Sequence, residues 1–219
     1  MQQVLVYSDS LSWGIIPNTR KRAPFDARWP GVMEIELTGQ RRSVRVIEDC
    51  LNGRRTAWED PFNAGRNGLE GLAQRIEINS PLSLVVLMLG TNDFQSMHPH
   101  TAAHAARGIA ALVAAIRQAP IEPGMSIPPI LVIAPPPVLD PKGPIAAKFA
   151  GAGAKSAGLA DAYRAVASEF ACHFFDSGSV TSASLVDGVH LDPEQHQSLG
   201  KAVARFVAAL PGVLPPAAA

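Results

Sequence analysis

Five short apolar runs, separated by segments of helical periodicity, constrain the fold of this chain more than any other feature. The runs are Gln3–Tyr7, Val44–Glu48, Leu84–Leu89, Ile130–Ala134 and His173–Phe175. The first, third and fourth are almost continuously apolar, which suits parallel strands covered on both faces. Helical patterns fill the intervals at about Trp29–Leu37, Gly68–Ile78, Thr101–Gln118, Ser156–Phe170 and Pro193–Leu210. Thr101–Gln118 carries Ile109, Leu112, Val113 and Ile116 at helical spacing. Pro193 and Glu194 suit a first helical turn behind an Asp192 cap.

The alternation predicts an α/β three-layer sandwich: a flavodoxin-like, parallel, five-stranded sheet with helices on both faces. A chain of 219 residues fits one such domain, expected over residues 1–210, with a Pro/Ala-rich and disordered tail over 211–219. Pro120–Pro129 reads as a surface loop, and Pro135–Lys155 as a longer one beside the strand ends. Ligands of open parallel sheets bind at the carboxyl ends of the strands, near the topological switch point. Ser10 follows the first strand, Gly53 the second and Asn92 the third, so all three are expected on one rim.

Lys plus Arg and Asp plus Glu both number 19, so the net charge is zero. Without a basic stripe or polybasic cluster, nucleic acid and anionic membrane are not expected partners. Weak charge repulsion is compatible with oligomerisation. The start, Met1-Gln2-Gln3-Val4-Leu5-Val6-Tyr7, lacks a charged segment and a cleavage site and reads as a strand, so a cytoplasmic location is expected. Cys50 and Cys172 read as buried free thiols at apolar, strand-like positions.

Ser10, Asp187 and His190 supply a nucleophile, an orienting acid and a base for acyl transfer. The three-residue spacing of Asp187 and His190 lets one turn set the carboxylate against the imidazole. The Ser10 and Gly53 backbone N–H groups and the Asn92 amide are candidate oxyanion donors, glycine leaving the approach to its N–H open. Each residue also has a plain structural reading. Ser10 suits a helix cap, Gly53 a turn, Asn92 an Asx-turn, and Asp187 a cap beside a surface histidine. Trp13, Ile15 and Phe94 are the candidate pocket residues, with Ile16 and Trp58 nearby, against ordinary packing. Arg54 and Arg55 either steer a polar substrate or pair with Glu59 or Asp60. His98, His100 and His104 invite a metal reading, but no H-E-x-x-H or nearby cysteine supports it. On ligand count no metal is expected there, and the histidines read as a solvated loop entering a helix.

Four segments together resemble the SGNH (GDSL-type) hydrolase family. They are Ser8-Asp9-Ser10-Leu11-Ser12, Asn52-Gly53, Gly90-Thr91-Asn92-Asp93 and Asp187-Gly188-Val189-His190. Ser8 departs from the family pattern, which has glycine there. Stretches such as Asp26-Ala27-Arg28-Trp29-Pro30-Gly31 and Phe175-Asp176-Ser177-Gly178-Ser179 resemble the family's short-chain arylesterase/acyltransferase branch. The resemblance implies a serine esterase acting on short-chain and aryl esters through an acyl-enzyme, with transfer to alcohols as a further outcome. It also implies that no metal or organic cofactor is needed, and a homo-oligomer in which the Pro135–Lys155 loop helps to wall off the site. A carbohydrate acetylesterase or a thioesterase would use the same groups. A non-catalytic flavodoxin-like binding domain is the alternative of another class, although Asp9-Ser10-Leu11 offers too few glycines for a phosphate cradle.

Overall fold

The computed structural model describes residues 1–214. Five parallel strands form one sheet in the order β2-β1-β3-β4-β5. They are β1 (Gln2–Ser8), β2 (Val44–Cys50), β3 (Leu84–Met88), β4 (Ile130–Ala134) and β5 (His173–Asp176). Each expected strand is present: β4 has the expected bounds, β1, β2 and β5 are longer by a residue or two, and β3 is shorter by one. Successive side chains of a strand point to opposite faces, so a strand that is apolar throughout needs cover on both sides. In β1, Val4 and Val6 enter one core and Leu5 and Tyr7 the other. In β3, Leu84, Val86 and Met88 separate from Val85 and Leu87 in the same way.

Helices α2 (Trp29–Gly39) and α7 (Pro193–Ala209) cover the first face through Trp29, Met33, Leu37, Leu199, Val203 and Val207. Helices α3 (Leu72–Asn79), α4 (Ala102–Arg117) and α6 (Leu159–Glu169) cover the second, where Ile76, Ile109, Leu112, Val113 and Val166 are buried. Two one-turn helices complete the set, α1 (Ser10–Trp13) and α5 (Ala152–Lys155). Asp192 caps α7 as expected, in a reciprocal capping box with Gln195.

Some expectations are corrected. Pro211–Leu214 do not begin a free tail: Val213 and Leu214 are buried in the core under α7, because an apolar pair there finds cover. Residues 215–219 lie outside the described residues. Cys50 and Cys172 are free but only half-buried, and Cys172 sits in the turn before β5. The histidines do lie in a loop entering a helix, but they are half-buried and packed on one another. Rings of His98 and His100 stack at 4.9 Å, and the Trp58 ring lies 4.4 Å from that of His100 at a tilt of 35°. His104 belongs to the first turn of α4, where its Nδ1 accepts the Thr101 N–H at 3.2 Å. Among the described residues no three metal-ligating side chains converge, and no helix is long and apolar enough to cross a membrane.

Order 2-1-3-4-5 places the topological switch between β1 and β3. The chain leaves β1 at Ser8, β2 at Cys50 and β3 at Met88, which are register partners at one edge of the sheet. The loops that follow therefore meet above that edge.

Candidate active site

Beyond β1, Asp9 takes an extended conformation and caps α1, its carboxylate accepting the Leu11 N–H at 2.9 Å. Ser10 is thus the first residue of the helix and not its cap. Its hydroxyl is left free for chemistry, and it lies 3.2 Å from His190 Nε2. Asp187 and His190 occupy the turn between β5 and α7. Asp187 Oδ2 is 2.7 Å from His190 Nδ1, while its Oδ1 accepts the Val189 and His190 N–H groups, both at 2.9 Å. Burial pushes the Asp187 carboxyl up, but the His190 hydrogen bond and charge and the two N–H groups outweigh it and hold it below the ordinary range. An ionised Asp187 fixes the Nδ1–H tautomer, which leaves Nε2 as the acceptor facing Ser10. Gly188 makes this turn possible: its φ is +79°, and a Cβ there would meet Asp140 O at 2.3 Å. The loop after β4 pins the turn, with Leu139 N donating to Gly188 O at 2.9 Å and Lys142 N to Asp187 O at 3.0 Å.

The three candidate oxyanion donors, Ser10, Gly53 and Asn92, line one cleft. The Ser10 N–H opens α1 and has no intrahelical acceptor. Gly53 ends a turn at φ +82°, and its N–H is used by no backbone acceptor among the described residues. Asn92, in the 3-10 turn Thr91–Phe94 after β3, also lines the cleft. Its amide is held on all sides: Nδ2 donates to Asp9 Oδ2 at 3.0 Å and Arg54 O at 3.1 Å, and Oδ1 accepts from Gln95 Nε2 at 2.8 Å.

A buried polar frame supports these groups. Trp29 Nε1 donates to Ser12 Oγ at 2.9 Å, Ser12 to Ser8 Oγ at 2.6 Å, and Ser8 to Met88 O at 2.5 Å. The serine that departs from the family pattern therefore ties α1 and α2 to β3. Asp93 accepts from Thr56 N at 3.0 Å and Thr56 Oγ1 at 2.5 Å, and burial pushes its carboxyl up to about 7. Arg54 and Arg55 point away from the substrate space. Arg54 pairs with Asp49 at 2.7 Å and lies over the Tyr7 ring, and the fully buried Arg55 pairs with Asp60 at 3.0 Å. Arg55 thus makes the expected pair with Asp60, whereas Arg54 pairs with Asp49 and with neither Glu59 nor Asp60.

The cleft above Ser10 encloses about 210 Å³. Of the expected pocket residues Ile15 lines it, and Trp13 and Phe94 do not. Phe94 is fully buried in the core beneath the sheet, and Trp13 lies under the Arg22 guanidinium at 5.0 Å. The walls come instead from loops: Asn52, Asn63 and Arg66 after β2, and Ile145, Lys148 and Phe149 after β4. These residues have no periodicity to betray them. Only the length of the loop after β4 signals a wall there. A second cavity of about 420 Å³ shares Ile15, Arg20, Ile145, Lys148 and His190 with the first and continues to Asn18, Thr19 and Pro144.

Residues 9–198 match the model of the GDSL-like lipase/acylhydrolase family. Among solved structures, Est24, a carbohydrate acetylesterase from Sinorhizobium meliloti, is 35% identical with a TM-score of 0.89, covering 95% of this chain and 99% of its own. The M. smegmatis aryl esterase in its inhibitor-bound form is 33% identical at 0.89, covering 94% and 98%. An Agrobacterium tumefaciens C58 protein described as a putative arylesterase is 39% identical at 0.84, again covering 94% and 98%. Comparison with curated proteins gives no match. By the family match, the shared sandwich and the conjunction of a serine, a histidine and an aspartate at its switch point, this chain belongs to the GDSL-like (SGNH) family of lipases and acylhydrolases.

Proposed function

We propose that this protein is a serine esterase for small acyl and aryl esters, with Ser10 as nucleophile. The observation that carries the reading is the relay Ser10 Oγ, His190 Nε2, His190 Nδ1, Asp187 Oδ2 at 3.2 and 2.7 Å, buried at the floor of a cleft. Ser10 attacks the ester carbonyl while His190 takes its proton, and Asp187 stabilises the imidazolium that forms. The carbonyl oxygen, now an anion, is met by the Ser10 and Gly53 N–H groups and by the Asn92 amide. His190 then returns the proton to the leaving alcohol, and the acyl group remains on Ser10. Water or a second alcohol, activated by His190, releases it.

The two cavities divide the substrate. The smaller contains Ser10, Gly53 and Asn92, so it receives the acyl group and the oxyanion. The larger contains His190 but not Ser10, which suits the alcohol that His190 protonates. About 210 Å³ is below the usual size of a drug-sized ligand site and favours short acyl chains. A second reading, removal of acetyl groups from carbohydrate, is favoured by the polar walls at Asn52 and Asn63 and by the likeness to Est24.

The test is intact-mass analysis after a serine-directed fluorophosphonate, with the labelled peptide mapped, followed by a p-nitrophenyl ester chain-length series. One adduct on Ser10 and a fall in rate beyond short acyl chains are expected. An unlabelled, folded protein, or an active Ser10→Ala variant, overturns the reading.

A further inference from the structure

Three cations line the cleft, each from a different loop: Arg20 after α1, Arg66 after β2 and Lys148 after β4. None makes an ion pair among the described residues, where Arg22, Arg28, Arg54, Arg55 and Arg75 take the carboxylate partners. Arg66 donates to Ala64 O at 3.1 Å, and the Lys148 ammonium lies 5.9 Å from the Phe149 ring centre. The carboxylates that face the same space are already satisfied. Asp60 pairs with Arg55 and accepts the Phe62 and Asn63 N–H groups at 2.9 and 3.1 Å, and Asp187 is held by His190. A chain of zero net charge therefore carries an uncompensated positive cleft.

The charges converge on one volume. Burial lowers the Lys148 ammonium's pKa; Asp60 opposes the fall, and Arg55, Arg20 and Arg66 deepen it. Arg66 also lies against the Gly53 turn, since a Cβ on Gly53 would meet its Cδ and Nε at 3.6 Å. Arg20 and Lys148 stand where the two cavities join, and Arg66 lines only the smaller.

We infer that the preferred substrates are esters carrying a second, anionic group, a carboxylate above all, which Arg20, Arg66 and Lys148 receive while Ser10 attacks the ester carbonyl. This rests on the serine-esterase reading and narrows its substrate class. Arg66 is half-buried, so its unpaired guanidinium binds carboxylate more strongly than at an open surface, while Arg20 and Lys148, both exposed, add attraction that salt screens. Placed beside the oxyanion turn, they favour a charged substrate at the distance of a few bonds from its ester.

Two matched series test it. On the acyl side, 4-nitrophenyl hydrogen glutarate is compared with 4-nitrophenyl pentanoate. On the alcohol side, 4-carboxyphenyl acetate is compared with 4-carbamoylphenyl acetate. The readout is the charged-to-neutral ratio of kcat/KM in the wild type and in Arg20→Gln, Arg66→Gln and Lys148→Gln. The charged ester is expected to win by about fivefold for each cation at contact distance in water, with the preference fading as salt rises. Each variant lowers the ratio, and Arg66→Gln lowers it only in the acyl series. A ratio of one or less in both series, or a preference that no variant reduces, overturns the inference while leaving the esterase reading in place. If no ester is turned over, the esterase reading fails instead. Glutarate titrated calorimetrically into the protein then decides the cation site: salt-sensitive binding lost in the variants supports it, and no binding overturns it.

Discussion

Replacing Asp187 with Asn changes one atom of the relay and tests the whole of it. The carboxylate accepts three hydrogen bonds, two from the Val189 and His190 N–H groups at Oδ1 and one from His190 Nδ1–H at Oδ2. An asparagine keeps the first two through its carbonyl oxygen, so the turn and the fold persist. Its NH2 group then faces Nδ1 at the position of Oδ2, 2.7 Å away, and a donor there requires Nδ1 to be the acceptor. The proton moves to Nε2, which points at Ser10 across 3.2 Å and can no longer receive the hydroxyl proton. Loss of the correct tautomer in a triad of this geometry costs about 10⁴ in kcat, or ~5 kcal/mol of barrier. The assay is p-nitrophenyl acetate hydrolysis by Asp187→Asn at constant pH, with thermal unfolding run in parallel. An unchanged Tm with a rate lowered by about three to four orders of magnitude is expected. A variant that keeps more than about a tenth of the rate would show that His190 is not oriented through Asp187, and the relay would fail as the catalytic unit.

Asp93→Asn should remove a pH-dependent instability. The wild-type carboxyl sits at about 7 against an ordinary 3.8, so folded and unfolded states are both protonated below about 4 and diverge as pH rises to 7. Stability from this group is present at low pH and lost through pH 7, on the order of 4 kcal/mol, and the variant's advantage in urea unfolding should appear at pH 8 and vanish at pH 4. An equal difference at both pH values contradicts this. Ser8→Gly restores the family's residue but breaks the bonds to Met88 O and Ser12 Oγ, at a cost of about 1–3 kcal/mol. Calorimetry should show Tm lower by ~2–4 °C for each kcal/mol, and an unshifted Tm would deny Ser8 its part in the frame. Gly53→Ala has room for its methyl but holds φ at +82°, a strain of ~1–2 kcal/mol, so the turn relaxes. kcat should fall about tenfold with KM little changed, and a full kcat would remove Gly53 from the oxyanion site.

The parts of the site legible in the sequence are those fixed by backbone rules. Ser10, Gly53 and Asn92 each follow a strand whose apolar run is unmistakable, and parallel pairing sends those strand ends to one edge. Asp187 and His190 were readable because three residues span one turn. The pocket was not readable, because its walls come from loops whose side chains are placed by tertiary contact. Phe94 illustrates the failure: next to Asn92 and Asp93 in sequence, it turns into the core because a 3-10 turn directs successive residues to different sides. The stacked histidines show the same limit, since the ring faces that meet belong to a loop and to the first turn of α4, and only the fold sets their separation.

Asn92 differs from Ser10 and Gly53 in offering a side-chain donor. Its two N–H groups already have acceptors, and those acceptors differ in kind: Arg54 O is a neutral carbonyl, and Asp9 Oδ2 belongs to a buried carboxyl that burial pushes up to about 6. The bond to Asp9 and the bond from Gln95 fix the plane of the amide. The bond to Arg54 O is the weaker of the two held by Nδ2, since a charged acceptor makes roughly twice as strong a hydrogen bond as a neutral one. An oxyanion forming above Ser10 carries full charge and so competes with Arg54 O on favourable terms, whereas the uncharged carbonyl of the bound ester does not. On the proposed reading the donor is oriented in advance and is engaged only as charge develops, a difference between ground state and transition state of the kind that lowers a barrier.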